Sequence, residues 1–356
     1  MRNMLAKLAL YATLLFCSSA TSNAQDKTPL FIFGDSLYDT GMSAYGGVKG
    51  VGAKYWPYSQ KPGKRYSNGL VIPDFIAQFS GLPILKPYLL PGNKNYTEGV
   101  NFASATACVL PETCSKAINL KMQLDYFDQM VQILKQQVGK SEANRILHKA
   151  VYLFNIGEND YTTLLQENIS KLPLSPSDKI TYIKQVLGNL TIHIKSIYNQ
   201  GGRKFAFQNI GPLGCMPSMK YMLRYEGACA PEPQELAMMH NAEFAAVANR
   251  LQSNLAGFKY SIYDFYAAVH KRVLDGNTYG FKESETACCG SGAFNGDNTC
   301  QNMGRTFSVC SHPKDYLWFD AWHPTARACQ QFAEEFWSGK SNVVAPCNLR
   351  SLFAMG

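Results

Sequence analysis

The sequence predicts an α/β fold in which a mostly parallel sheet is covered by helices on both faces. Two observations predict it. Short apolar runs rich in β-forming residues alternate with segments of helical period, and three of the five runs lead into glycine. The first run is Leu30-Phe31-Ile32-Phe33, ending at Gly34. The second is Val100-Asn101-Phe102-Ala103. The third, Ala150-Val151-Tyr152-Leu153-Phe154-Asn155, precedes Gly157, and the fourth, Lys204-Phe205-Ala206-Phe207-Gln208-Asn209, precedes Gly211. Tyr260-Ser261-Ile262-Tyr263-Asp264 is the fifth.

Helical segments fill the intervals. Pro73 to Phe79 is short and has proline near its start, where the missing N–H costs nothing. Leu120 to Val138 is long and amphipathic, and Ser141 to His148 follows it. Asp178 to Asn199 places Ile180, Ile183, Val186, Leu187, Leu190 and Ile194 on one side. Pro233 to Phe258 and Thr325 to Trp337 complete the series. In such folds ligands collect at the carboxyl ends of the strands, so the glycine-bearing ends are where chemistry is expected.

The first two dozen residues read as a leader. Arg2 and Lys7 are followed by an apolar run from Leu8 to Cys17 and then by Ser22-Asn23-Ala24, which has the form of a signal-peptidase site. A membrane anchor is the rival reading, but the run is shorter than the about 20 residues a span needs. The expected organisation is a signal peptide at 1–24 and a single domain at 25–356. No linker, charge block or internal repeat divides the 332 residues that remain (356 − 24). Loss of Arg2 and Lys7 takes the formal charge from +8 to +6, and the basic residues are scattered. That pattern fits solubility and no nucleic-acid partner. The expected location is extracellular, the apoplast or cell wall in a plant, with the vacuole as the other destination. A monomer without a transmembrane segment is expected.

Cys17 leaves with the leader, and an even ten cysteines remain. In a secreted chain this favours disulfides. Metal binding is disfavoured because no pair has C-x-x-C spacing. Cys108 with Cys114 and Cys215 with Cys229 are local candidates. Cys288, Cys289, Cys300 and Cys310 form a third cluster, and Cys329 and Cys347 are left over. Asn95-Tyr96-Thr97, Asn168-Ile169-Ser170 and Asn189-Leu190-Thr191 are glycosylation sequons of the same compartment.

The candidate chemistry begins at Gly34-Asp35-Ser36-Leu37, just past the first strand. Gly, Asp and Ser also make ordinary turns. A serine hydroxyl needs a base, usually a histidine held by a carboxylate. Of six histidines, His148, His193, His240 and His270 lie in helical segments and His312 in a cysteine-rich loop. His323 follows Asp320 by three residues and immediately precedes Pro324. A single turn there can set the carboxylate against one imidazole nitrogen and leave the other to face Ser36. Asn159, in Gly157-Glu158-Asn159-Asp160, follows the third strand, where its amide can serve as an oxyanion donor or equally as a helix cap.

These three blocks, in this order and spacing, resemble the SGNH or GDSL hydrolases, and most closely the plant GDSL esterase/lipase family. Further matches are Tyr55-Trp56-Pro57-Tyr58, Arg65-Tyr66-Ser67-Asn68-Gly69, Gly99-Val100-Asn101-Phe102-Ala103-Ser104, Gly211-Pro212-Leu213-Gly214-Cys215 and Cys288-Cys289-Gly290. The resemblance spans nearly the whole mature chain. It implies a flavodoxin-like three-layer α/β/α sandwich with a five-stranded, mostly parallel sheet, acting on a small-molecule or lipid ester without metal or cofactor. By the same resemblance Ser36 is the nucleophile, His323 the general base and acid, and Asp320 its orienting partner. The Ser36 amide and the Asn159 side chain belong to the oxyanion hole. Thr106 stands where the family usually has a glycine that lends a backbone N–H to that hole. A β-branched residue there resists positive φ and crowds the site. Met42-Ser43, where many relatives have asparagines, is a second and peripheral departure. Ester hydrolysis through a Ser36 acyl-enzyme is the leading expectation. An acyltransferase using the same triad and a catalytically impaired binding glycoprotein are the alternatives.

Overall fold

The structure is a computed structural model, and it describes residues 27–47, 65–297, 300 and 306–356. The leader and the Tyr55-Trp56-Pro57-Tyr58 match lie outside these residues.

Five parallel strands form the centre: β1 (Leu30–Gly34), β2 (Gly99–Asn101), β3 (Val151–Asn155), β4 (Lys204–Gln208) and β5 (Lys259–Tyr263). Their order is β2-β1-β3-β4-β5, the doubly wound order of a flavodoxin-like sheet. From β1 the chain winds first to β2 on one side and then to β3 on the other. The crevice between the ends of β1 and β3 is therefore the topological switch point, where such sheets place ligands.

The expected five-strand sheet has six. Two short antiparallel strands, β6 (Cys289–Gly290) and β7 (Ser308–Val309), make a separate hairpin, and β8 (Val344–Ala345) adds antiparallel to β5 at the edge of the main sheet. A two-residue strand shows no alternation in sequence, and the following Pro346 is tolerated because the strand is at an edge.

Helices cover both faces: α1 (Ile72–Phe79), α2 (Leu120–Val138), α3 (Lys140–Lys149), α4 (Glu158–Glu167), α5 (Pro176–Asn199), α6 (Pro217–Leu223), α7 (Pro231–Asn254), α8 (Phe265–Leu274), α9 (Ala326–Ser338) and α10 (Leu349–Ala354). Helix α5 starts two residues before its predicted start, because Ser175 caps it through the Asp178 N–H and Pro176 takes the first position. Helix α7 stops at Asn254, short of the predicted Phe258, and Gly257 adopts φ +74° beyond it.

The central strands are buried on both faces, which is why they read as continuous apolar runs. One face is aromatic. Phe31, Phe33, Phe102 and Tyr152 surround Phe127 of α2 at centroid separations of 5.7–6.0 Å from its ring. Phe207 packs edge-on against Phe244 of α7. On the other face Tyr263 stacks on Phe336 of α9 at 5.0 Å. Because Phe127 is the common edge-on partner of four strand rings, Phe127→Ala is expected to cost about 3–5 kcal/mol. The check is the shift in urea unfolding midpoint.

Candidate active site

Ser36 lies two residues beyond β1. The Tyr38 N–H donates to the Asp35 carbonyl at 3.2 Å, and the Leu37 N–H donates to Asp35 Oδ1 at 3.0 Å. The turn that results lifts Ser36 to its crest. Its amide meets no protein acceptor among the described residues. Gly34 is required here for close approach: a Cβ would sit 2.4 Å from the Asn155 carbonyl oxygen of β3. Gln123 of α2 seals the strand end by binding both the N–H and the carbonyl of Gly34, at 3.0 and 2.8 Å.

Asp320 and His323 sit in the turn before α9. Asp320 Oδ1 accepts the Trp322 and His323 amides at 2.9 Å each and lies 2.7 Å from His323 Nδ1. His323 Nε2 lies 2.8 Å from Ser36 Oγ. With Nδ1–H donating to the carboxylate, Nε2 is left to accept the serine proton. Asp320 is fully buried and His323 nearly so.

Two blocks that the sequence marked only as family matches hold this turn. Ser67 Oγ donates to the Pro324 carbonyl at 2.9 Å, the Asn68 side-chain Oδ1 accepts the Ala326 N–H at 2.8 Å, and the Tyr66 ring lies 5.2 Å from that of His323. On the other side, the Cys288 and Cys289 amides donate to the Trp318 and Phe319 carbonyls at 3.0 and 2.8 Å. The hairpin is stapled by Cys288–Cys310 and Cys289–Cys300, so two disulfides brace the segment leading into Asp320. Cys108–Cys114 and Cys215–Cys229 form as expected, whereas Cys329 and Cys347 are free thiols. The even count after the leader therefore gives four bridges and not five. The Cys215, Cys229 and His270 atoms that approach one another cannot serve as a thiolate metal site, because both sulfurs are spent in a disulfide.

The loop after β2 continues along β1 through Phe102 N–H to the Ile32 carbonyl and Ser104 N–H to the Gly34 carbonyl. Thr106 follows with φ +62°, a strained conformation that its branched side chain resists. It is held from both sides. Asp39 Oδ2 accepts the Ala105 N–H at 2.8 Å, and Asp39 also caps the amides of Gly41 and Met42 at 2.6 and 2.7 Å. Asn159 Nδ2 donates to the Ala107 carbonyl at 3.0 Å, and Asp160 accepts the Val109 and Leu110 amides at 2.8 and 2.9 Å. The Thr106 side chain points outward, exposed, with its hydroxyl donating to the Ala105 carbonyl at 2.6 Å. It lines the rim and leaves its own amide without a protein acceptor among the described residues.

These elements enclose a cavity of about 350 Å³ whose lining includes Ser36, Leu37, Tyr66, Thr106, Glu158, Asn159, Met216, Trp322 and His323. Ser36, Thr106 and Asn159 all line this cavity. The remaining histidines lie elsewhere; His240 is buried against the Tyr161 hydroxyl at 2.6 Å, and burial holds its imidazole down at about 3.

A match to the GDSL-like lipase/acylhydrolase family covers residues 30–336. The chain belongs to this family. It is a family of carboxylic ester hydrolases, built on the SGNH hydrolase α/β fold. Among curated relatives, GDSL esterase/lipase 1 of Arabidopsis thaliana is 39% identical over 351 residues, covering 95% of this chain and 93% of the relative. A GDSL lipase of Tanacetum cinerariifolium is 39% identical over 356 residues, covering 98% and 94%. Inactive GDSL esterase/lipase-like protein 25 of Arabidopsis thaliana is 35% identical over 333 residues, covering 92% and 75%. Among the described residues of this GDSL protein, no helix is long and apolar enough to cross a membrane.

Sequence reasoning passed over Asp39, Gln123 and Glu158. Asp39 in Asp39-Thr40-Gly41 carried the one available signal, an acid three residues past Ser36 and before a glycine. Asp39→Ala strips acceptors from buried amides and is expected to cost about 2–4 kcal/mol and to slow reaction at Ser36, read by thermal unfolding and by fluorophosphonate labelling.

Burial is the largest influence on the carboxyls under the site: it pushes Glu158 and Asp160 each up to about 7, and Asp35 well above the usual range with Glu158 adding to the rise. A carboxyl that holds its proton more tightly when folded stabilises fully below its unfolded value, about 4, and loses that contribution as pH rises through about 7. The urea midpoint is therefore expected to be higher at pH 5.5 than at pH 8.5, with Glu158→Gln narrowing the difference.

Proposed function

We propose that this chain is a secreted carboxylic ester hydrolase working through a Ser36 acyl-enzyme, its mature part from residue 25 acting as one catalytic domain. The observation that carries the reading is the continuous relay Asp320 Oδ1, His323 Nδ1, His323 Nε2, Ser36 Oγ, at 2.7 and 2.8 Å. A ligand-binding role alone needs no such alignment between segments 287 residues apart.

Ser36 Oγ attacks the ester carbonyl carbon as its proton passes to His323 Nε2, and Asp320 stabilises the imidazolium. The carbonyl oxygen, now an anion, takes hydrogen bonds from the Ser36 amide, the free Asn159 N–H and the Thr106 amide. Collapse expels the alcohol, which leaves with the proton from His323. Water then attacks the acyl-serine by the same route, releasing the acid and restoring the serine hydroxyl. Ser36 and Trp322 are half-buried at the cavity mouth, which favours water as acceptor.

Thr106 does not weaken this reading, since its amide is kept and its strained backbone is fixed by Asp39, Asn159 and Asp160. The secreted setting rests on the leader and on the disulfides. Glycans are proposed at Asn95, Asn168 and Asn189. Asn95 is the most accessible, exposed in a turn closed by Thr97, whereas the amides of Asn168 and Asn189 donate back to the Leu164 and Gln185 carbonyls.

With a short p-nitrophenyl ester, Ser36→Ala is expected to reduce turnover to background without loss of folding. Asp320→Asn, which leaves shape but offers the wrong partner to Nδ1, is expected to lower kcat by about 10³–10⁴-fold. Turnover retained in Ser36→Ala overturns the assignment.

A further inference from the structure

Glu158 opens helix α4 and sits beside Asn159, yet the acyl-enzyme mechanism gives it no task. Glu158 lines the same cavity as Ser36 and His323 and is 6% exposed. Oε1 accepts the Gly211 N–H at 2.9 Å, and Oε2 has no hydrogen-bond partner among the described residues. The neighbouring Asp35 also lines the cavity, and its buried Oδ2 is likewise unpartnered. Two enclosed carboxylates facing one another are costly, and the cheapest relief is to keep a proton. A protonated carboxyl is a donor, and a donor in a substrate cavity needs an acceptor there. An ester supplies acceptor oxygens and no acidic hydrogens.

We propose, resting on the ester-hydrolase reading above, that Glu158 is a specificity-determining residue whose protonated carboxyl donates a hydrogen bond from Oε2 to an oxygen of the bound ester. The Gly211 amide fixes Oε1 and leaves Oε2 as the oxygen of this cavity-lining residue with no protein partner among the described residues. The titratable groups that act on it are Asp35 and Tyr38 from the turn after β1 and His323 from the turn before α9; His240 of α7 lies beyond Gly157. Once ionised, Glu158 loses the donor and sets a negative charge beside the site where the oxyanion forms. Its proton is held up to about 7 by burial, so the loss falls within the working range. The rate then declines as Glu158 loses its proton.

The test is kcat/KM for p-nitrophenyl butyrate from pH 5 to 9 in the full mature chain. Wild type is expected to show a declining limb near pH 7 with about a tenfold loss at its end. Glu158→Gln, whose amide donates at every pH, is expected to stay within about threefold of wild type at pH 6 and to lose that limb. Glu158→Ala is expected to be about tenfold slower at pH 6. An unchanged declining limb in Glu158→Gln overturns the proposal, as does a folded Glu158→Ala equal to Glu158→Gln at every pH. If Glu158→Ala fails to fold, wild type against Glu158→Gln decides. An active wild type without the limb overturns this proposal alone, whereas a wild type that cleaves no ester overturns the functional reading with it.

Discussion

Everything at the site depends on how closely β1 and β3 meet at their carboxyl ends. The Asn155 carbonyl occupies the space a side chain at residue 34 would need, and accepts the Asp35 N–H at 3.1 Å. With that contact fixed, the chain can only turn away from the sheet, and Ser36 is the residue it raises. The switch-point topology supplies the crevice, and the bare backbone at Gly34 sets the serine in it. A methyl group there would push the two strands apart and move Ser36 relative to His323, which approaches from the far end of the chain.

The second constraint is that the loop carrying Thr106 is held by side chains from the turn after β1 and from α4. Asp39 draws Ala105 towards the first turn, while Asn159 and Asp160 draw residues 107 to 110 towards α4. Thr106 is stretched between them and adopts a conformation that a threonine would not choose. Strain of this kind persists only where the surroundings over-determine the backbone. The same logic applies to the histidine turn, held by Ser67 and Asn68 from one side and by the doubly bridged hairpin from the other. Rigidity at the site is thus drawn from four separate stretches of sequence, and the disulfides contribute by bracing a loop that carries little core of its own.

Much of this was legible in the sequence, and the reasons for what was not are physical. Strands such as Val151–Asn155 are buried on both faces, so their apolar runs stand out, whereas Val344–Ala345 is too short for any periodic signal. Ser36, Asp320, His323 and Asn159 could be picked out because each sits in a short block where turn chemistry and reactive side chains coincide. Asp39 and Gln123 could not, since their roles are long-range hydrogen bonds to backbone groups 66 and 89 residues away. Glu158 was hidden by its neighbours: in Gly157-Glu158-Asn159-Asp160 it reads as one more acid in a helix first turn. Only the fold shows that Glu158 is enclosed in the cavity that Ser36 lines. Thr106 gave a true signal of strain, but the exposure of its side chain and the clamps around it required the structure.

The central claim is that an acyl group passes through Ser36. Its most direct test is acid quenching of the purified chain during turnover of a slowly deacylating ester, followed by intact-mass and peptide mass spectrometry. The account predicts a single added acyl mass on the peptide containing Gly34-Asp35-Ser36-Leu37, absent from Ser36→Ala. Continued turnover by the wild type with no such adduct, or an adduct on any other residue, would contradict it.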